Sequence, residues 1–283
     1  MNASATTTRR AFLAASAFGA ASLVMSAGGA ELTDEPRILA LELLTAAPLG
    51  AMKDFYHGAL GLGVSDERNE RLTIAGGATP ITFVHVPARD ATEAAASPFY
   101  HFAFNIPQNK IRAARDWQRA RSELLPIPLA LRDPDYPDDV VNYAHWNAHS
   151  VFFFDPAGNV VEYIARHDLK NDAGGGDAGG GFDGRDILYA SEIAFVTDDV
   201  AAMSAALQRA ASVEPYRGAS HQFTALGDER GLLLVMKRGR VISFDSPQKK
   251  LVDVFKTTAR VRGARGGEYR PTDYPYELRT AGP

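Results

Sequence analysis

The chain of 283 residues contains no cysteine. Disulfide bonds, thiolate nucleophiles and cysteine-ligated zinc or iron–sulfur sites are therefore excluded. It also lacks blocks of like charge, and its net charge of −4 argues against a basic stripe that would neutralise nucleic-acid phosphates. Beyond the N-terminus, no apolar run reaches the roughly 20 residues of a membrane-spanning helix. We therefore expect no nucleic-acid partner and no membrane span in the mature protein.

The first 30 residues have the pattern of an export signal. Arg9 and Arg10 precede an apolar stretch that runs to Met25, and small residues follow as far as Ala30. A charged start, a short apolar run and a small-residue end are typical of a cleaved signal peptide. The paired arginines favour the twin-arginine route, with a chance pair in a general secretory signal as the alternative. We expect export to the periplasm or the extracellular space, and a mature chain that begins near Glu31.

The rest of the chain repeats one order of elements: strand, helix, strands. The first copy comprises a strand at 37–44, a helix at 49–59, and strands at 71–74 and 81–86. The second comprises a strand at 99–106, a helix at 111–124, and strands at 151–154 and 159–165 joined by a tight turn. The third comprises a strand at 187–196, a helix at 200–207, and strands at 222–226 and 232–236.

This order predicts an α+β fold with three modules. Residues 36–170 are expected to form one domain of two modules, and the Gly-rich stretch 171–184 a flexible linker. A third, degenerate module is expected over 185–245. The Arg-, Pro- and Tyr-rich end, 246–283, shows no clear periodicity and is predicted to be an irregular tail.

Two polar residues lie within strands that are otherwise largely apolar. His101 shares a strand face with the small residue Ala103 and with Asn105. Such a histidine either points into a cavity or is satisfied by a neighbouring backbone group. Glu162 shares its face with two β-branched apolar residues, so it is either exposed at an edge or buried with a charged partner or a metal.

Residues 100–104, and residues 150–162 with their Asp155-Pro156-Ala157-Gly158-Asn159 turn, resemble the vicinal-oxygen-chelate superfamily. This superfamily includes glyoxalases, bleomycin-resistance proteins and extradiol dioxygenases. The resemblance covers residues 36–170, with a weaker echo in 187–240. It implies paired βαβββ modules that form a curved mixed sheet around a cleft. In this family a first-strand histidine and a last-strand glutamate bind a divalent metal, and His101 and Glu162 fall on those positions.

The family takes a further ligand from the first strand of the other module. Aligning the modules through the proline after each first strand places Glu42 there, whereas counting back from the helical Phe55-Tyr56 pair places Leu41 there. The two counts differ by one residue, which changes the strand face. Glu42 is the expected ligand, with an edge-strand acid as the alternative. Strand 81–86 offers only His85, so the four-ligand glyoxalase set is not reproduced.

His145 precedes the Asp155-Pro156 turn by ten residues. This spacing is similar to that of an acid/base histidine in extradiol dioxygenases, so His145 is the expected catalytic residue, with an exposed loop histidine as the alternative. The match is incomplete, since Phe152 and Tyr143 differ from that signature. His149 is expected to be structural.

Glu192 in the third module repeats the position of His101. Its matching last-strand position falls on the apolar Val235. We therefore expect this module to lack a metal pair, and either to shield the main cavity or to form an interface.

The resemblance implies a metal-dependent enzyme, either a lyase or an extradiol-type dioxygenase. Fe, Mn, Ni or Zn would be held by His101, Glu162 and Glu42 and would act as a Lewis acid on a small substrate with adjacent oxygens. One alternative is a metal-free protein that binds flat aromatic molecules of the bleomycin-resistance type, and another is a structural module at an interface. A homodimer is left open. Metal content separates the enzyme from both alternatives.

Overall fold

A computed structural model describes residues 35–87, 97–136, 139–174 and 180–282. The expected export signal and the expected mature start lie outside these residues, as does the centre of the expected linker. The described residues form a single unit. Within the described part, no helix has both the length and the apolar character that crossing a membrane requires.

The first module begins with a strand in which buried and partly exposed residues alternate from Leu41 onward. It comprises β1 (Ile38–Thr45), α1 (Leu49–Lys53), a π-helical turn (Asp54–Ala59), β2 (Gly63–Arg68), β3 (Arg71–Gly76) and β4 (Thr79–His85). Along β1, Leu41 and Leu43 are buried while Glu42 is partly exposed. This alternation fixes which face of the strand contacts the core.

The second and third modules each supply a helix and strands in the expected order. The second comprises β5 (His101–Ile106), α2 (Ile111–Arg119), β6 (Val141–Tyr143), β7 (Ala148–Phe154) and β8 (Val160–Arg166). The third comprises β9 (Tyr189–Thr197), α3 (Val200–Ala211), β10 (Pro215–Ala219), β11 (Phe223–Asp228) and β12 (Gly231–Lys237). Short 3₁₀ turns lie at Leu129–Leu131, Ala144–Trp146 and Gly184–Asp186.

The C-terminal stretch is not the irregular tail expected from the sequence. It contains β13 (Thr257–Arg262), β14 (Gly267–Tyr269) and β15 (Tyr276–Ala281). In β13 every second residue, Thr257, Ala259 and Val261, is buried. These small side chains, separated by threonine and arginine, form a half-buried strand with a weak hydrophobic pattern.

The strands form two sheets whose pairing differs from the expected one. The eight-stranded sheet has the order β10-β11-β12-β9-β5-β8-β7-β6 and joins the second module to the third. The seven-stranded sheet has the order β14-β15-β13-β1-β4-β3-β2 and joins the first module to the C-terminal strands. Strand β5 pairs with β8 on one side and β9 on the other, so neither edge is free for the first module.

One hydrophobic core lies between elements of both sheets. Leu43 and Phe83 of the seven-stranded sheet belong to the same buried cluster as Phe102, Phe104 and Phe195 of the eight-stranded sheet. Each fully buried side chain of this size contributes about 1.5–3 kcal/mol through removal of apolar surface from water. The opposite face of the eight-stranded sheet carries the polar residues identified in the sequence.

The predicted turn between β7 and β8 sets the register of that face. Gly158 has a φ of 76°, and its N–H donates to the carbonyl of Asp155 at 2.9 Å. The Asp155 carboxylate accepts hydrogen bonds from the N–H groups of Ala157 and Asn159 and from the Tyr56 hydroxyl. The antiparallel pairing that results places Phe152 directly opposite Glu162.

Candidate metal centre

His101 lies at the start of β5 with its imidazole buried. Its Nδ1 is 2.9 Å from the carbonyl oxygen of Val160 on β8. Because a carbonyl only accepts hydrogen bonds, Nδ1 carries the proton and the lone pair of the neutral ring is on Nε2. Sequence reasoning left open a cavity-facing histidine and a backbone-satisfied one. Both alternatives apply, because Nδ1 is bonded to the Val160 carbonyl while the ring also lines the pocket.

Glu162 lies on β8 beside His101. The two strands are parallel, and Glu162 pairs with Ala103, which shares a face with His101. The Glu162 Oε2 atom is 3.4 Å from His101 Nε2, and both side chains are almost fully buried. The structure therefore brings together the two residues that the family motif singled out.

A third ligand-type residue comes from the third module. Glu192 on β9 pairs with Ala103 from the other side, and its Oε2 atom is 3.8 Å from His101 Nε2. One ligand atom from each of His101, Glu162 and Glu192 lies within 4.8 Å of the others. The third module thus supplies one of the three ligand-type residues, whereas the sequence assigned it only a shielding or interface role.

The position in the third module that corresponds to Glu162 is apolar. Leu234 on β12 pairs with Ala194 and contributes to the pocket lining. Val235, the position chosen from the sequence, belongs to the core on the other face. The site therefore has three ligand-type residues and one apolar position.

Burial dominates the electrostatics of this cluster. It lowers the pKa of His101 to about 4, so the ring is neutral near pH 7. Burial also raises the pKa of Glu162, and the neighbouring Glu192 carboxylate raises it further. For Glu192, burial raises the pKa more than the opposing charge of Arg166 lowers it. Without a cation the two carboxylates disfavour each other's ionised form.

Arg166 holds the outer oxygen of Glu192. Its guanidinium is fully buried and forms an ion pair with Glu192 Oε1. Two of its nitrogens, Nε and Nη1, have no hydrogen-bond partner among the described residues. Arg166 leaves Glu192 Oε2 on the side of His101, so the ion pair does not block the inner oxygen.

A pocket of about 150 Å³ opens above this cluster. Its floor is His101, Glu162 and Glu192, and its walls are the aromatic and aliphatic side chains of Tyr143, Trp146, Phe152, Phe223, Leu234, Met236, Ile242 and Phe244. Phe152 stacks beside the His101 ring, with 6.1 Å between the ring centroids. Arg240 also contributes to the lining. Such a mostly apolar cavity with a few polar groups suits a small organic ligand.

The residues present fit a divalent cation. His101 Nε2 offers an unprotonated lone pair, and Glu162 Oε1 is a buried oxygen without a hydrogen-bond partner among the described residues. One neutral imidazole and two carboxylates suit Mn, Fe, Ni or Zn. A cation there would neutralise the two buried carboxylates.

Glu42, the expected third ligand, does not lie in this pocket. It is part of β1 in the seven-stranded sheet, where it pairs with Thr82 and Thr258. Its carboxylate contacts Arg71 at 2.5 Å and is partly exposed. Leu41 is the inward residue, as the count from Phe55-Tyr56 indicated, so the count through the prolines placed Glu42 on the wrong face.

His145 is also outside the pocket. Its side chain is exposed, and Nε2 contacts the carbonyl oxygen of Arg217. Its neighbours Tyr143 and Trp146 line the pocket instead. The left-handed conformation of Asn147, with a φ of 49°, ends the short turn that carries His145. This placement corrects the expectation that His145 approaches the metal.

His149 lies on the other face of β7 and has structural partners, as expected. Its Nε2 donates to the Asp133 carboxylate at 2.8 Å, and its Nδ1 is 2.7 Å from His167 Nε2. The carboxylate requires a proton on His149 Nε2, which fixes the ring orientation. His149 joins β7 to the loop before β6.

Tyr143 is a pocket residue that sequence reasoning noted only as a mismatch. Burial raises the pKa of Tyr143, and the charges of Glu162 and Glu192 raise it further. The phenol therefore stays protonated and is available as a hydrogen-bond donor facing the floor. For Glu192 a signal existed, because the internal repeat aligned it with His101.

No protein-family model and no curated protein sequence matches the chain. Solved structures do. A protein assigned as a dioxygenase from Bacillus subtilis subsp. subtilis str. 168 aligns with 14% identity over 88% of this chain and 86% of its own, with a TM-score of 0.53. A glyoxalase I mutant from Zea mays aligns with 11% identity over 86% of this chain and 93% of its own, with a TM-score of 0.49.

A glyoxalase/bleomycin resistance protein/dioxygenase from Nocardioides aligns with 23% identity over 49% of this chain and 89% of its own, with a TM-score of 0.35. These structural neighbours are vicinal-oxygen-chelate proteins. The structural similarity to the Bacillus protein, at 14% identity, establishes the fold alone. The chain therefore has an α+β fold of mixed, curved sheets that is consistent with paired βαβββ modules.

Proposed function

We propose that this protein is a divalent-metal-dependent enzyme of the glyoxalase/dioxygenase kind that acts on a small substrate with adjacent oxygens. The observation that carries the proposal is the convergence of His101, Glu162 and Glu192 at the floor of a mostly apolar pocket. Three protein ligands leave coordination positions open, as catalytic metal sites require. The metal would supply Lewis-acid polarisation of the substrate oxygens.

The chain's own residues have distinct tasks in this proposal. Val160 orients the His101 ring through Nδ1, and Arg166 fixes the outer oxygen of Glu192. Tyr143 donates a hydrogen bond to an oxygen of the substrate. Phe152 and Trp146 orient a flat ligand and exclude water.

Metal analysis of the full chain tests the ligand set. After loading with Mn²⁺ or Zn²⁺ and dialysis, wild type should retain the ion, whereas His101→Ala and Glu162→Gln should lose it, with affinity reduced at least about 100-fold. Glu42→Gln and His145→Ala are the matched controls and should bind as wild type does. Retention of the ion by His101→Ala would refute the proposed site.

A turnover screen then separates binding from catalysis. Metal-loaded protein would be offered catechols and α-hydroxycarbonyl compounds. Tyr143→Phe should keep the metal but lower turnover about 10²–10³-fold, because it removes a hydrogen-bond donor to the substrate oxygen, while His145→Ala should match wild type. Equal rates in Tyr143→Phe and wild type would remove Tyr143 from the mechanism.

The second candidate function is metal-free binding of an aromatic molecule. The Arg166–Glu192 ion pair favours it, because it gives one carboxylate a partner without a metal. Wild-type protein that retains no ion yet is stabilised by an aromatic ligand would support this function.

A further inference from the structure

Arg240 is an exposed residue that contributes a positive charge to the pocket. It lines the pocket but forms no ion pair or side-chain hydrogen bond within the described part of the chain. Its guanidinium lies 5.1 Å from the centroid of the Phe223 ring. The neighbouring Arg238, by contrast, contacts Asp198 at 3.5 Å and Asp253 at 3.3 Å.

The backbone at Arg240 is held in place. Residues 238–256 connect β12 to β13 and fold back on themselves across the pocket. The N–H of Val252 donates to the Arg240 carbonyl at 2.9 Å, and the N–H of Gly239 donates to the Val252 carbonyl at 2.8 Å. In the same segment the Phe244 ring packs on Phe152, with 4.7 Å between centroids. These backbone hydrogen bonds thus fix the position of Arg240 beside the pocket.

The pocket therefore contains charges of both signs. Glu162 and Glu192 make the floor acidic, with Arg166 already engaged by Glu192. Arg240 adds a positive charge to the pocket lining, next to the aromatic ring of Phe223. A guanidinium with free donors beside an aromatic ring binds a carboxylate through charge-assisted, often bidentate hydrogen bonds. A single cation matches a ligand group with one negative charge.

We propose that the pocket takes an aromatic carboxylate whose ring lies between the aromatic walls and whose carboxylate binds Arg240. This inference rests on the proposed function in one respect, that the pocket is the substrate site. It does not depend on a bound metal. Arg240 is accordingly a specificity-determining residue, which selects acids over neutral molecules of the same shape.

Benzoate and benzamide, which have the same ring but differ in charge, test the inference on protein kept metal-free with a chelator. Trp146 lines the pocket, and Trp117 is the other tryptophan of the chain. A Trp117→Phe background makes the fluorescence of Trp146 the reporter, with calorimetry as a second measurement. Wild type should bind benzoate about tenfold more tightly than benzamide.

Arg240→Gln should weaken benzoate about tenfold and leave benzamide within about twofold, and Arg240→Lys should restore part of the preference. Arg238→Gln, the matched control, should behave as wild type does. Equal affinity of wild type for the two compounds, equal weakening of both by Arg240→Gln, or no binding of benzoate would each overturn the inference. Because these measurements use metal-free protein, they remain interpretable even if the metal analysis refutes the proposed metal site.

Discussion

Arg166 places a fully buried positive charge beside the two carboxylates of the candidate metal centre. Two of its nitrogens have no hydrogen-bond partner in the described chain, so it is an expensive group to bury. What compensates the cost is the ion pair with Glu192. Without Arg166, Glu192 would be a second buried carboxylate next to Glu162 with no compensating charge.

Arg166→Met should therefore destabilise the metal-free protein by about 3–5 kcal/mol, since it leaves an unpaired buried carboxylate. Added Mn²⁺ or Zn²⁺ should recover a larger share of stability in this variant than in wild type, because the cation replaces the missing charge. Urea unfolding with chelator and with metal measures both effects. Arg166→Met combined with Glu192→Met is the control and should be more stable than the single variant. An identical metal effect in Arg166→Met and wild type would contradict this account.

Individual ligands were predictable only where a local motif fixed their position. The turn at Asp155 defines the register of β8, so Glu162 could be placed from the sequence. Among the described residues no such turn precedes β1, and an alignment error of one residue there exchanged the buried Leu41 for Glu42. Tyr143 and Arg240 lie in short or irregular segments, whose side-chain directions no periodicity predicts.

The hairpin of β11 and β12 is joined to the start of β1 by a small charged cluster. Asp228 at the hairpin turn forms ion pairs with Arg37, just before β1, and with Arg230. The N–H of Arg37 also donates to the Arg230 carbonyl at 3.1 Å. These contacts connect an element of the eight-stranded sheet to one of the seven-stranded sheet.

Asp228→Asn should cost about 1–2 kcal/mol at pH 7, and less at pH 3. Burial opposes ionisation of Asp228, but hydrogen bonds from Arg230 and Arg37 outweigh it and lower the pKa below the ordinary 3.8. A lowered folded-state pKa gives stability that is present above pH 3.8 and lost as the pH falls through the folded value. Urea unfolding of both proteins at the two pH values measures this. An equal difference at pH 7 and pH 3 would exclude the electrostatic origin.

Strands with a strong apolar pattern were predicted, and weak ones were missed. The residues of β2 are mostly exposed, and β6 has three residues, so neither shows a clear period. In β13 and β15 small or aromatic residues alternate with arginine, threonine and glutamate. These strands are buried because β13 pairs with β1 and with β15. Such long-range pairing cannot be predicted from the local sequence.

The pairing of modules is a property of the whole molecule. Each module has the same local order, so the sequence does not distinguish neighbours in the chain from neighbours in a sheet. The C-terminal strands lie along β1, and β9 lies along β5. The candidate metal centre depends on this arrangement, because Glu192 reaches His101 only when β9 is next to β5.

A close approach of two backbones holds the sheets in this arrangement. The turn between β3 and β4 contacts the chain just before β9, where the N–H of Ala78 donates to the Leu188 carbonyl at 2.8 Å. Gly77 in this turn has a φ of 59°, and a Cβ there would overlap the carbonyl oxygens of Leu188 and Ile187. Gly61 has a similar φ of 69° but no atom within 4 Å of a Cβ.

These two glycines separate backbone strain from close contact. Gly61→Ala should cost about 1–2 kcal/mol, because alanine is strained at positive φ. Gly77→Ala should lower the free energy of unfolding by the same amount through strain. It should lower it by at least about 1–3 kcal/mol more, because the added methyl group displaces the start of β9. Since β9 carries Glu192, Gly77→Ala should also weaken metal retention, whereas Gly61→Ala should not. Urea unfolding and metal analysis on both variants provide the comparison. Equal losses of stability would mean that the contact between the turn and Leu188 does not hold the two sheets together.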